Sequence, residues 1–299
     1  MAALQKKSAF VAVIGRPSVG KSSLVNRICG GKVSIVSAVP QTTRNAIKGI
    51  LSAEEGQLVF IDTPGRHISD KKFNKKMIEV SDRALEDADL ILYVIDVSRP
   101  PGPEEEALCV RLAPFSGRII IALNKIDLPS ADSAAALSFL AGRFPGINSS
   151  IIHKTSCREK TGIAELISAL FEKAEAGESH YPDEYYTDQD VSFRVTEIIR
   201  EQAVRRLREE LPHSIYVEAA DLEMRNDGKN LWVRAFIITE RESQKGMIVG
   251  AGGAMIKAIR LAAQKELNKI FDWKVELDLR VKTAKDWRSN DRLLKRLVK

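Results

Sequence analysis

Gly15-Arg16-Pro17-Ser18-Val19-Gly20-Lys21-Ser22 stands between an apolar run, Phe10 to Ile14, and a helix-like stretch that begins at Ser23. The order reads as strand, glycine turn, helix. In that setting a G-x-x-x-x-G-K-S turn aims several backbone N–H groups at one anion, while Lys21 adds a compact positive charge and Ser22 a hydroxyl for a hard cation. The helix N-terminus behind the turn reinforces the same field. Residues 15–23, Ser23 included, are therefore expected to cradle phosphate.

Working outward, short apolar runs alternate with amphipathic stretches as far as about residue 174. Phe10 to Ile14, Gln57 to Ile61, Leu90 to Ile95, Ile119 to Leu123 and Ile151 to Ile152 read as buried parallel strands. Lys71 to Glu86, Glu104 to Ala113, Asp132 to Phe144 and Ile163 to Ala174 read as the helices between them, so the class is α/β with a doubly wound, mostly parallel sheet. Ligands of such sheets bind at the carboxyl ends of the strands. Gly177, Pro182 and a run of acidic residues suggest a linker over 178–190, which divides the chain into 1–177 and 191–299. In the second part a helix (about Val195 to Leu211), two strands (about Ile215 to Glu218 and Leu231 to Thr239), a glycine-rich turn, a helix (Ala254 to Ile270) and an alternating strand (Trp273 to Lys282) make a smaller α+β domain.

Composition agrees with two soluble domains: 299 residues, 44% apolar and 29% charged. No apolar stretch approaches the roughly 20 residues a membrane-spanning helix needs. Lys6 and Lys7 precede apolar residues, but these run straight into the glycine turn with no cleavage site, so residue 1 is read as the mature start. Three widely spaced cysteines suit a reducing cytoplasm, and four scattered histidines suggest neither a zinc site nor a histidine dyad. The net charge of +6 is uneven, with 15 Lys+Arg against 7 Asp+Glu over residues 241–299 and 8 against 13 over 181–240. Such a basic end favours phosphate backbones, although a solvated helix face has the same composition.

Each polar motif follows an apolar run. Asp62-Thr63-Pro64-Gly65 offers a carboxylate that can hold magnesium through water and a glycine N–H for a terminal phosphate. Asn124-Lys125-Ile126-Asp127 selects the base. A carboxylate accepts two hydrogen bonds at once from the ring N–H and 2-amino group of guanine, whereas adenine presents a lone pair at the first position and nothing at the second, so Asp127 specifies guanine. Asn124 would brace the loop and the Lys125 stem would cover one face of the base. In Pro40-Gln41-Thr42-Thr43-Arg44 one threonine hydroxyl can complete a magnesium shell; Thr43 is favoured and Thr42 stands close behind. Ser156 and Cys157, in Thr155-Ser156-Cys157, lie where a backbone N–H can meet the guanine oxygen.

Together these motifs resemble the translation-factor-related GTPases, and the wording G-R-P-x-V-G-K-S, Q-T-T-R and D-T-P-G is similar to the Era family over essentially the whole chain. The resemblance implies a P-loop GTPase domain that binds GTP/GDP and Mg2+, with Ser22, Thr43 and Asp62 around the metal, and Lys21, Thr43 and Gly65 acting on the γ-phosphate while water attacks it. It implies slow intrinsic turnover, with loop ordering as the output. Ser18 stands where the family has an asparagine that resembles a potassium ligand, so K+ is doubtful, and Arg66 after D-T-P-G either faces solvent, the favoured reading, or touches the γ-phosphate in the closed state.

For the second domain the resemblance implies a type II KH module. Lys245, Gly250, Ala251, Gly252, Gly253, Lys257 and Arg260 would meet single-stranded RNA, because a G-x-x-G turn at a helix start admits a phosphate backbone closely. Ile248, Val249, Ile256 and Ile259 are either groove or core residues. The expected partner is the 3′ region of small-subunit ribosomal RNA, and the expected role is maturation of the small ribosomal subunit by a cytoplasmic monomer, with peripheral attachment at the inner face of the membrane left open. The alternative is an RNA-binding assembly chaperone for which GTP is mainly a structural ligand.

Overall fold

Strand β1 (Lys7–Ile14) is buried throughout Val11–Ile14, as an unbroken apolar run requires of a central strand. The computed structural model describes residues 5–40, 42–65 and 72–298. The chain divides into two compact units, one comprising Met1–Ser34, Thr43–Asp188 and Arg296–Lys299, the other Ile35–Thr42 and Gln189–Lys295.

In the first unit β1 leads through the phosphate loop into α1 (Lys21–Ile28), followed by β2 (Ile47–Ala53), β3 (Gly56–Asp62), α2 (Lys72–Asp87), β4 (Leu90–Asp96), α3 (Pro103–Leu112), β5 (Ile119–Asn124), α4 (Ser133–Arg143), β6 (Ile152–Thr155), α5 (Ile163–Lys173) and β7 (Glu175–Ala176). The sheet order is β2-β3-β1-β4-β5-β6, with β7 beside β1. β3, β4, β5 and β6 run parallel, and β1 lies between β3 and β4, so the winding reverses at β1 and a crevice opens at its carboxyl end. The phosphate loop begins there.

One strand of this half escaped the apolar pattern, and one reading needs correction. Residues 47–53 form an antiparallel strand on β3 that the apolar pattern did not reveal, because Gly49 splits the run and the strand's far end is exposed. The stretch 178–188 is not a loose linker. The Gln57 amide, fully buried, accepts from His180 N (2.9 Å) and Tyr181 N (3.0 Å) and donates to Tyr181 O (2.8 Å), while Ile50 N–H bonds Tyr186 O (3.0 Å) and Thr187 Oγ1 bonds Lys48 O (2.8 Å). Composition resembling a linker conceals a segment fastened to β2 and β3.

The second unit contains α6 (Val191–Val204), α7 (Leu211–Ser214), β8 (Tyr216–Arg225), β9 (Asn230–Thr239), α8 (Glu242–Val249), α9 (Ala254–Ile270) and β10 (Lys274–Thr283); α10 (Asp291–Leu297) follows. α6 starts four residues before the expected helix because Asp190 caps it, accepting from Phe193 N at 2.7 Å. β9 pairs with both β8 and β10, and alternation puts Leu231, Val233, Ala235 and Ile237 in one core with Val275, Leu277 and Leu279. α6 and α9 supply Val195, Ile199, Ile259 and Leu267 to the same core. The expected glycine-rich turn is shorter than its composition suggests, since Glu242–Val249 is a helix whose Gly246 the turn pattern had absorbed.

Candidate functional site

The phosphate loop is shaped by left-handed residues that its sequence supplies. Gly20 has φ +103° and Ser18 φ +64°, and a Cβ on Gly20 would lie 2.4 Å from the Asn124 amide nitrogen. Lys21, 6% exposed, donates to the carbonyls of Gly15 and Arg16, both at 2.8 Å. Burial pulls its ammonium down to about 8, opposed by the charges of Asp62 and Glu105. A cation anchored in this way stands ready to exchange carbonyl partners for phosphate oxygens.

Three oxygens meet beside it. Ser22 Oγ, at the first turn of α1, donates to Asp62 Oδ2 at 2.6 Å and lies 2.8 Å from Thr43 Oγ1. Asp62 Oδ1 is buried without a hydrogen-bond partner. Burial raises the Asp62 carboxyl above its ordinary value, against the hydroxyl of Ser22 and the charge of Lys21. Two hydroxyls and a carboxylate with a spare buried oxygen form a hard-oxygen set suited to Mg2+. Thr42 is not part of it. Its hydroxyl bonds Ser37 Oγ and Val39 O, both at 2.6 Å, and its carbonyl accepts from Arg200 at 2.6 Å, within the second unit. Of the two threonines, Thr43 is the one brought to Ser22.

Gly65 packs against Pro17 of the phosphate loop, and its motif is pinned by Thr63 Oγ1 on Val13 O (2.7 Å) and by Ser81 Oγ on Pro64 O (2.9 Å). Arg66 and Gln41 lie outside the described residues.

The base loop is tied to the same framework. Asn124, 1% exposed, donates to Val19 O at 2.9 Å; Lys125 Nζ donates to Ser18 O at 2.8 Å and Asp96 Oδ2 at 2.6 Å. Asp127 accepts from Ser156 Oγ at 2.6 Å, which orients its carboxylate. The expectation for the Ser156 N–H changes, because it is committed to Thr161 O at 3.0 Å in a backbone bridge. Cys157 is half-buried, its thiol pushed up to about 11 by burial, and its carbonyl accepts from Arg27 at 3.2 Å. Ser23, Asn26, Arg27, Lys32, Cys157 and Arg158 line an adjoining cavity of about 640 Å3.

Asp96 and Glu105 escaped the sequence reading. Asp96 ends a buried strand as Asp62 does, a signal that could have found it. Burial alone would raise Asp96, but the Lys125 ammonium and the Ser98 hydroxyl and N–H outweigh it and hold the carboxyl below its usual value.

In the second unit Gly250, Gly252 and Gly253 have φ of +73°, +56° and +78°, and form the turn between α8 and α9 with Ala251 exposed between them. A Cβ on Gly250 would meet Met255 N at 2.9 Å, so the turn closes only with glycine. Lys257 is exposed on α9, and Arg260 donates to Gln264 at 3.2 Å. Lys245 lies on α8 rather than in the turn, paired with Glu242 at 2.7 Å. Ile248 and Ile259 are core residues, while Val249 and Ile256 are half-buried beside the turn.

The family described as "50S ribosome-binding GTPase" matches residues 10–125, and the family described as "KH domain" matches residues 210–288. Among curated proteins, GTPase Era of Treponema denticola is 50% identical over 97% of this chain and 99% of its own length, and GTPase Era of Borreliella burgdorferi is 46% identical over 98% and 99%. Among solved structures, Aquifex aeolicus Era bound to GDP·AlF4− superposes with a TM-score of 0.91 at 31% identity, covering 97% of this chain and 98% of that one. A second, Era in complex with MgGDPNP and nucleotides 1506–1542 of 16S ribosomal RNA, gives a TM-score of 0.91 at 30% identity with the same coverage. Identity of this extent, spread over both units and joined to the phosphate, base and metal-facing residues described above, leads to one conclusion: the chain belongs to the Era family of GTPases.

Proposed function

We propose that the chain is a GTP-hydrolysing switch that binds the 3′ region of small-subunit ribosomal RNA and acts in maturation of that subunit. The observation that carries the hydrolytic half is the convergence of Ser22, Thr43 and Asp62 oxygens beside Lys21 and the phosphate loop. When bound, Mg2+ supplies charge to neutralise the β- and γ-phosphates. Lys21 and the loop amides stabilise the same oxygens, Gly65 N–H orients the terminal phosphate, and Asp127 with Asn124 selects guanine. The RNA half rests on the glycine turn between two helices, on Lys257 and Arg260 beside it, and on the relative whose structure contains a ribosomal RNA fragment.

Thr43 is joined by one peptide bond to the segment that belongs to the second unit, and ordering of Thr43 by the γ-phosphate is the switching step in this reading. Three free cysteines support a reducing cytoplasm, and no single helix among the described residues is long and apolar enough to cross a membrane. The protein is taken to act as a monomer. Single-turnover GTP hydrolysis with and without a single-stranded RNA from the 3′ end of 16S ribosomal RNA tests the proposal. Faster turnover with RNA is expected, and Lys21→Ala should abolish hydrolysis. RNA binding that ignores nucleotide, with hydrolysis that ignores RNA, would favour the chaperone alternative.

A further inference from the structure

Glu104, Glu105 and Glu106 open α3, and the middle one alone is fully buried. A carboxylate taken out of water is costly unless its oxygens are matched, so its partners reveal its purpose. One oxygen forms an ion pair with Arg16 Nε of the phosphate loop, whose side chain is 14% exposed. The other accepts from Tyr93 Oη at 3.0 Å, and Tyr93 on β4 is itself fully buried. Glu105 is thus fixed by a strand on one side and grips the phosphate loop on the other.

The gripped residue occupies a critical place. Arg16 O accepts one of the two hydrogen bonds from Lys21 at 2.8 Å. Its neighbours are confined by backbone, since a Cβ on Gly15 would lie 2.4 Å from Val94 O and Pro17 packs against Gly65. Movement at Arg16 therefore reaches both the phosphate-binding lysine and the glycine of D-T-P-G.

We propose that Glu105 is a positioning residue for GTP hydrolysis: by holding the Arg16 guanidinium it fixes the peptide on which Lys21 and Gly65 depend. Glu105 does not touch nucleotide and acts through Arg16. The proposal rests on the GTPase reading, which is tested separately by wild-type hydrolysis and its loss in Lys21→Ala.

The test is a double-mutant cycle in the full chain with Mg2+, following steady-state GTP hydrolysis and thermal unfolding together. Glu105→Gln keeps the shape and the Tyr93 bond but loses the charge, and should lower kcat/KM about tenfold, as expected for a coupled charge pair. Arg16→Gln should lose a similar factor, and the double variant no more than the worse single one. Glu105→Asp, which restores the charge, should recover part of the loss. Additive losses in the double variant, or a folded Glu105→Gln with wild-type or raised kcat/KM, overturn the proposal. Should Glu105→Gln fail to fold, Tyr93→Phe removes one of the two holds and should lower kcat/KM about twofold to threefold, within the range of a single coupled contact; unchanged kcat/KM in folded Tyr93→Phe overturns it as well.

Discussion

The Asn124 side chain donates to the Val19 carbonyl across 2.9 Å, tying the end of β5 to a phosphate loop 105 residues earlier in the chain. Its oxygen in turn accepts from Thr155 Oγ1 at 3.3 Å, so one buried amide spans the base loop, the phosphate loop and β6. Asn124→Ala removes the Val19 carbonyl's side-chain partner and leaves the Thr155 hydroxyl only the longer bond to Leu123 O at 3.4 Å. Stability should fall by about 1–3 kcal/mol, the usual cost of taking a partner from a buried polar group. Urea unfolding checks this, and calorimetry should show GDP and GTP affinity falling together, because the brace does not involve the γ-phosphate.

Base choice depends on Asp127, whose carboxylate the Ser156 hydroxyl orients at 2.6 Å. Asp127→Asn presents a donor where guanine also presents donors. GTP affinity should drop by about a hundredfold or more, in line with sites built on paired hydrogen bonds. Xanthosine triphosphate, with an oxygen in place of the 2-amino group, should bind the variant better than GTP does. Competition against a fluorescent GDP analogue measures both.

Acid should attack the Asp96–Lys125 pair. Asp96 is held below its ordinary value in the folded protein, so the unfolded chain takes up its proton first as pH falls. The pair's stabilisation is complete above the unfolded carboxyl's range, near 4, and is lost as pH drops through the lower folded value. Asp96→Asn should cost about 1–3 kcal/mol at neutral pH, comparable to a lost charge-assisted hydrogen bond. Its urea midpoint should also decline less steeply than wild type from about pH 5 to pH 3.

Lys257 stands exposed one turn into α9, immediately after the glycine turn. Lys257→Glu should weaken binding of single-stranded RNA across sequences and reduce the slope of log affinity against log salt by about one, the signature of a lost phosphate contact. Thermal unfolding should be unchanged. Filter binding at three salt concentrations separates this from a loss of base recognition, which would change sequence preference at constant slope.

What the sequence revealed and what it concealed follow from the range of the interactions involved. Glycines, Lys21 and Ser22 are dictated by local chemistry, and Asp62, Asn124 and Asp127 each end or follow an apolar run, so periodicity and motif spacing expose them together. Glu105 is different. In sequence it is one acid among three at a helix start, a pattern that normally reads as a solvated first turn, and only its burial against Arg16 and Tyr93 distinguishes it. The strand at 47–53 was hidden by Gly49, and α8 by Gly246 and Gly250, because glycine scored as a loop signal where tertiary packing decides otherwise. Position favoured Thr43 over Thr42 only narrowly, and their hydroxyl partners separate them outright.

The hold of Gln57 on His180 and Tyr181 bears on how the chain can be divided. β2 is the margin of its sheet, and Tyr186 and Thr187 occupy the hydrogen-bonding positions along it. A fragment cut at residue 177 would leave those ladder groups bare, inviting edge-to-edge association between copies. A fragment carried through to Asp188 retains its own selvage.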